Sequence, residues 1–165
     1  MNLQDVRIGF AYNRWANQRL LKATNQLPAE ELERDLGGSF SSIRGVLRHL
    51  LWGERGWLQY WREGSFGPEL SPADYSDLRS IAASWTSHED EKAAFVRELT
   101  DEKLRAPCPV DENSYVLGEL IQNILTHSTH HRGQVVHMLR QLGKTPPDTG
   151  FRHFLTENRS ELGQS

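Results

Sequence analysis

Apolar residues recur at alternating three- and four-residue steps along four long stretches, each closed by glycine or proline. That spacing marks helices with one buried face. The first stretch runs from about Leu3 to Leu27, with Leu3, Val6, Phe10, Asn13, Asn17, Leu20, Thr24 and Leu27 on its stripe. Pro28 stops it, and the AEEL that follows adds one more turn before the Gly37-Gly38 break. The second opens after an N-cap at Ser39 or Ser41 and carries Ile43, Val46, Leu47, Leu50, Glu54, Trp57, Leu58 and Trp61 to an end near Gly64. The third spans about Asp74 to Leu99, with Leu78, Ile81, Trp85, His88, Phe95 and Leu99 on one face. RAPCPVDENSY then brings two prolines and no period, which fits a short strand pair or a plain loop. The fourth stretch is the clearest: Leu117, Ile121, Ile124, Ser128, His131, Val135, Met138 and Leu142 form a heptad-like seam ended by Gly143 and Pro146-Pro147. The tail from Asp148 predicts a short helix that packs on the others and then frays.

With no β-α alternation, internal repeat or low-complexity tract, the pattern predicts an all-α antiparallel four-helix bundle. A short C-terminal helix completes one domain over residues 1–165. At 1.5 Å per residue the four helices would each be roughly 30–40 Å long.

Composition narrows the function mainly by exclusion. A net charge of −3 argues against a protein built to grip nucleic acid. No apolar run approaches the roughly 20 residues that span a bilayer, so no membrane partner is expected. The opening MNLQDVRIGF lacks the charged-then-apolar order of an export signal, and a cytoplasmic location is the expectation. One cysteine, Cys108, excludes an intrachain disulfide and a Cys-rich zinc site. It lies between two prolines with only Arg105 nearby to stabilise a thiolate, so no nucleophilic role is expected of it.

The histidines carry the candidate chemistry, since four of the seven fall between 127 and 137. At 100° per residue from Ile124, His131 falls about 20° and His127 about 60° away on the same side, whereas His130 and His137 fall about 120° and 140° away. His127 and His131 thus form an inward pair one turn apart, able to share one divalent cation at about 2.0–2.1 Å. Structural hydrogen bonding is the competing reading, but burying both without partners would cost on the order of several kcal/mol. The second helix offers a third ligand in His49, at the margin of its stripe among Gly45, Gly53 and Gly56, or in Glu54, inside the stripe. His88 is a further candidate, approaching from the third helix. Asn13 and Asn17 read either as buried hydrogen-bonding groups near a pocket or as registry elements of the bundle.

Three blocks, FAYNRWANQRLLKA, SFSSIRGVLRHLLWGERGWL and LGELIQNILTHSTHHRGQVVHMLRQLGKTPPDTGF, together resemble the DinB family of DinB/YfiT-like metalloenzymes in order and spacing. That family is distinct from the translesion polymerase of the same name. The resemblance implies an up-down-down-up bundle, often a homodimer, with nickel or zinc held by one His of the second helix and an HxxxH pair on the last. Those ligands fall on His49, His127 and His131. The chain departs from the family in having Glu54 where many members have Asp and Asn123 where many have His. The wider superfamily includes thiol S-transferases and isomerases using bacillithiol, mycothiol or glutathione. The resemblance therefore implies a metal-dependent enzyme activating a low-molecular-weight thiol toward a small-molecule substrate, with Glu54 or His130 as proton shuttles. The alternatives are metal-dependent hydrolysis of a small amide or ester and a non-catalytic metal-binding stress-response protein. Because imidazole must be neutral to bind a metal, affinity is expected to fall as the pH drops through about 6.5.

Overall fold

A computed structural model describes residues 1–160 and 162. The chain is mostly helical with one small antiparallel sheet. Helix α1 (Leu3–Thr24) starts where Asn2 accepts the Asp5 N–H at 2.9 Å and the Asp5 carboxylate accepts the Asn2 N–H at 3.0 Å, a reciprocal cap. A single turn, α2 (Ala29–Glu33), follows Pro28 as expected. Helix α3 (Ile43–Glu63) is capped by Ser42, not by Ser39 or Ser41. Ser41 adopts a positive φ of 57° and turns the chain, and the next hydroxyl then meets the Gly45 N–H at 3.1 Å. Gly64, at φ 74°, supplies the left-handed stop.

Helix α4 (Leu78–Glu98) begins only after Asp77, whose carboxylate accepts the Ser80 N–H at 2.8 Å. Beyond it comes an extra turn, α5 (Asp101–Arg105), which the hydrophobic pattern did not separate. The proline-rich stretch forms the strand pair β1 (Pro107–Val110) and β2 (Asn113–Val116), with Cys108 opposite Tyr115 and Pro109 opposite Ser114. Helix α6 (Leu117–Gln141) ends in a Schellman arrangement: the Gly143 N–H reaches the Arg140 carbonyl and the Lys144 N–H the Leu139 carbonyl, each at 2.9 Å. Helix α7 (Phe151–Asn158) packs on α1 through aromatic contacts such as Tyr12–Phe151 and Trp15–Phe154. The expected fraying after it falls on residues 161 and 163–165, outside the described residues.

The four long helices pack in pairs: α1 against α6 and α4, and α3 against the same two. Their interior is layered. One apolar cluster gathers Leu20, Leu47, Leu50, Ile81, Trp85, Val135 and Leu139. A second gathers Val6, Phe10, Leu58, Phe95, Leu99 and Ile121. Between them, on every one of the four helices, the stripe turns polar: Asn13 and Asn17, Glu54, His88 and Lys92, Ser128 and Arg132, all buried.

Candidate metal centre

On α6, His127 and His131 stand one turn apart; on α3, His49 faces them. His49 Nε2 lies 3.1 Å from His127 Nε2, and one ring nitrogen from each of the three lies within 4.8 Å of the others. Nitrogens bound at about 2.0–2.1 Å to one tetrahedral ion would be roughly 3.3 Å apart. The His49–His127 pair already has that spacing, and the donor set suits a borderline divalent ion.

Neighbours fix each ring. His131 Nδ1 is 2.8 Å from Gln134 Oε1; with the proton on Nδ1 donated to that oxygen, Nε2 keeps its lone pair for a metal. Phe40 stacks on His49, with ring centres 4.0 Å apart and planes 22° from parallel, and meets His131 edge-on. His127 rests against Gly53, where a Cβ would come within 2.9 Å of its Cε1. Only glycine leaves the ring its place.

The electrostatics favour neutral imidazoles. Burial, then the neighbouring His131 and Arg48, lowers the pKa of His49 to about 4. Burial, then His131 and His49, lowers that of His127 to about 4 as well. Burial also lowers the pKa of His131, against the opposing effect of the hydrogen bond its ring donates to Gln134. A cluster that resists protonation keeps its lone pairs available to a cation.

Glu54 occupies the polar layer behind the cluster. Its Oε1 accepts from Asn13 Nδ2 at 2.7 Å, Asn17 Nδ2 at 2.9 Å and Ser128 Oγ at 3.1 Å. Its Oε2 accepts from Lys92 Nζ at 2.7 Å and faces His88 Nε2 at 3.6 Å. Burial opposes the charge, but Lys92 and His88 outweigh it and hold the carboxyl well below the usual range. Glu89 takes a second Lys92 contact at 2.8 Å, and Arg132 donates to the side-chain oxygens of Asn13 and Asn17. Because Ser128 lies between His127 and His131 on α6, this network ties the α6 half of the cluster to α3.

The three histidines selected from the sequence are thus brought together. Glu54 lies deeper, in the polar layer, and His88 turns toward Glu54 rather than joining the cluster. His130 and His137 are exposed, as the helical phase predicts. His130 Nε2 is 3.3 Å from Gln134 Nε2, so Gln134 lies between His130 and His131. His130 also borders a cavity of about 710 Å³ between α1, α6 and α7. Sequence reasoning missed Lys92, Arg132, Gln134 and Phe40. Lys92 had a visible signal, since it sits four residues after His88 on the α4 stripe.

A sequence model described as the DinB family matches residues 4–161. Protein DinB of Bacillus subtilis (strain 168) is 27% identical over 162 residues, covering 90% of this chain and 93% of that protein. An uncharacterised protein of the same strain, YizA, is 24% identical over 146 residues, covering 86% and 91% respectively.

Proposed function

The chain belongs to the DinB family, and on that premise we propose that it is a metal-dependent enzyme activating a low-molecular-weight thiol for S-transfer to a small-molecule electrophile. His49, His127 and His131 would hold one divalent cation, nickel or zinc. The observation that carries the reading is the convergence of three imidazole nitrogens within 4.8 Å, two of them on rings whose pKa is lowered to about 4. A bound divalent cation supplies the positive charge that keeps a thiol ionised at neutral pH. The chain's own residues do the rest. Gln134 holds the tautomer of His131, and Phe40 holds the plane of His49. Glu54, with both oxygens engaged, serves as a fixed counter-charge behind the cluster. His130, exposed and sharing Gln134 with His131, is placed to carry a proton between site and solvent.

The pairings of the long helices support the up-down-down-up bundle. Along α3, His49 meets His131, Gly53 meets His127 and Trp57 shares a cavity with Asn123 and Leu120 of α6, a falling order, whereas Glu54 and Trp61 meet Lys92 and Phe95 of α4 in a rising one. A homodimer is part of the same reading, and sedimentation as a monomer at micromolar concentration would remove it.

Metal analysis of protein purified without an affinity tag is expected to give one nickel or zinc per chain, lost in His127→Ala. A panel of bacillithiol, mycothiol, glutathione and coenzyme A against a reactive electrophile then tests turnover. If metal-loaded protein accelerates reaction of none of them, hydrolysis of a small amide or ester, or metal binding without turnover, replaces S-transfer.

A further inference from the structure

The seam between α3 and α6 does not end at the histidines. On α3, His49, Gly53 and Trp57 follow at four-residue steps; on α6, His131, His127 and Asn123 do the same in the opposite direction. One turn past the cluster on both helices, roughly 6 Å along each axis, the seam opens into a cavity of about 630 Å³. It is lined by Trp57 of α3, by Glu119, Leu120 and Asn123 of α6, and by Val110, Ser114 and Tyr115 of the hairpin. The wall is braced: the Tyr60 hydroxyl donates to the Pro109 carbonyl at 2.6 Å, tying α3 to β1, and Phe66 meets Trp57 edge-on at 5.0 Å.

The chemistry of this lining is one-sided. Two aromatic side chains border it, and it contains no lysine, arginine or histidine. Its one charged group is Glu119, of which one oxygen accepts the Val116 N–H at 3.0 Å. The other oxygen has no hydrogen-bond partner among the described residues, and neither has the exposed side chain of Asn123, one turn from His127. An aromatic platform beside an acidic and an amide group selects a flat apolar body carrying a donor or a positive charge. An anion would meet the Glu119 carboxylate with no cation to offset it.

We propose that this cavity is the acceptor-substrate pocket of the metal centre, taking a neutral or cationic aromatic molecule with an amino group toward Glu119 and its reactive end toward the histidines. The assignment rests on the metal reading for its catalytic meaning, but not for the binding itself.

The test uses two probes of matched shape, 2-phenylethylamine and 3-phenylpropionate, titrated calorimetrically into chelator-stripped and zinc-loaded protein. Stripped protein prevents direct amine–zinc contact from imitating the pocket. The amine is expected to bind both forms at least 10-fold more tightly than the carboxylate. Trp57→Ala should weaken amine binding roughly 10-fold by removing the platform. Glu119→Gln, which keeps the cap on the Val116 N–H, should reduce the amine's advantage to about 3-fold or less. Circular dichroism and zinc titration of both variants should match the parent. No binding of either probe, equal binding of the two, or amine binding indifferent to both substitutions overturns the pocket. Loss of zinc binding in the parent protein with amine selectivity intact would instead sink the metal reading alone.

Discussion

Replacing Glu54 by Gln removes one negative charge from a site where every neighbour was arranged to meet it. The substitution preserves size, so no cavity opens. The new amide can still accept from Asn13, Asn17 and Ser128 through its oxygen, but its NH2 then faces the Lys92 ammonium now 2.7 Å from Oε2. Lys92 is 4% exposed and would keep Glu89 as its one carboxylate partner. Breaking a buried ion pair by removing one member typically costs about 3–5 kcal/mol. For a domain of this size that is a fall in Tm of about 6–20 °C. Urea and thermal unfolding of the metal-free protein measure it. The sign with pH is fixed as well. The folded carboxyl titrates below its unfolded value, so its contribution is present above the unfolded pKa and disappears as pH falls through the folded one. The difference between parent and variant should therefore narrow in acid. Lys92→Met in the Glu54→Gln background should recover part of the loss, because the two residues share one interaction. A loss below about 1 kcal/mol, or one unaffected by Lys92→Met, would refute the claim that this pair is an essential contact of the interior.

Other outcomes follow from the same geometry. Gly53→Ala should displace the His127 ring and weaken zinc binding by at least about 10-fold, with the helix content unchanged by circular dichroism. Gln134→Ala should cost about 10-fold in metal affinity by freeing the His131 tautomer, whereas His137→Ala should leave affinity within about twofold, both measured by competition with a chromophoric chelator. The pH window of metal binding should sit lower than the ordinary histidine value of about 6.5, because His49 and His127 stay neutral down to about 4. For the metal-free protein these lowered values make stability decline as pH falls from about 6.5 toward 4, since the unfolded chain takes up protons there that the folded one refuses. Unfolding midpoints that rise over that interval would contradict it.

The long helices were legible because each repeats one buried face for five or more turns, and periodicity alone placed His127 and His131 inward with His130 and His137 outward. What stayed hidden depended on the third dimension. Phe40 lies in an irregular segment and reaches His49 only because Ser41 turns the chain. The true cap, Ser42, sits in a run of four residues containing three serines, and only the backbone angle decides which hydroxyl faces the helix. Glu54 and Lys92 lie 38 residues apart on different helices, so neither stripe could reveal that one is the counter-ion of the other. The turn α5 is one turn long, too short for a period to show.

The polar layer between the two apolar clusters has a consequence for how freely this protein can change. Above and below it, Leu, Ile and Val can be exchanged for one another at small cost, because dispersion contacts have no direction. Within it, Asn13, Asn17, Lys92, Ser128 and Arg132 each donate to an acceptor on another helix, and sliding α6 by one turn would take Arg132 and Ser128 away from theirs. A slipped register is therefore penalised most heavily at this level. A single ring of hydrogen bonds fixes the axial register of four helices at once. The ends of the protein are left open to drift in sequence while the height of the histidines along their helices stays the same.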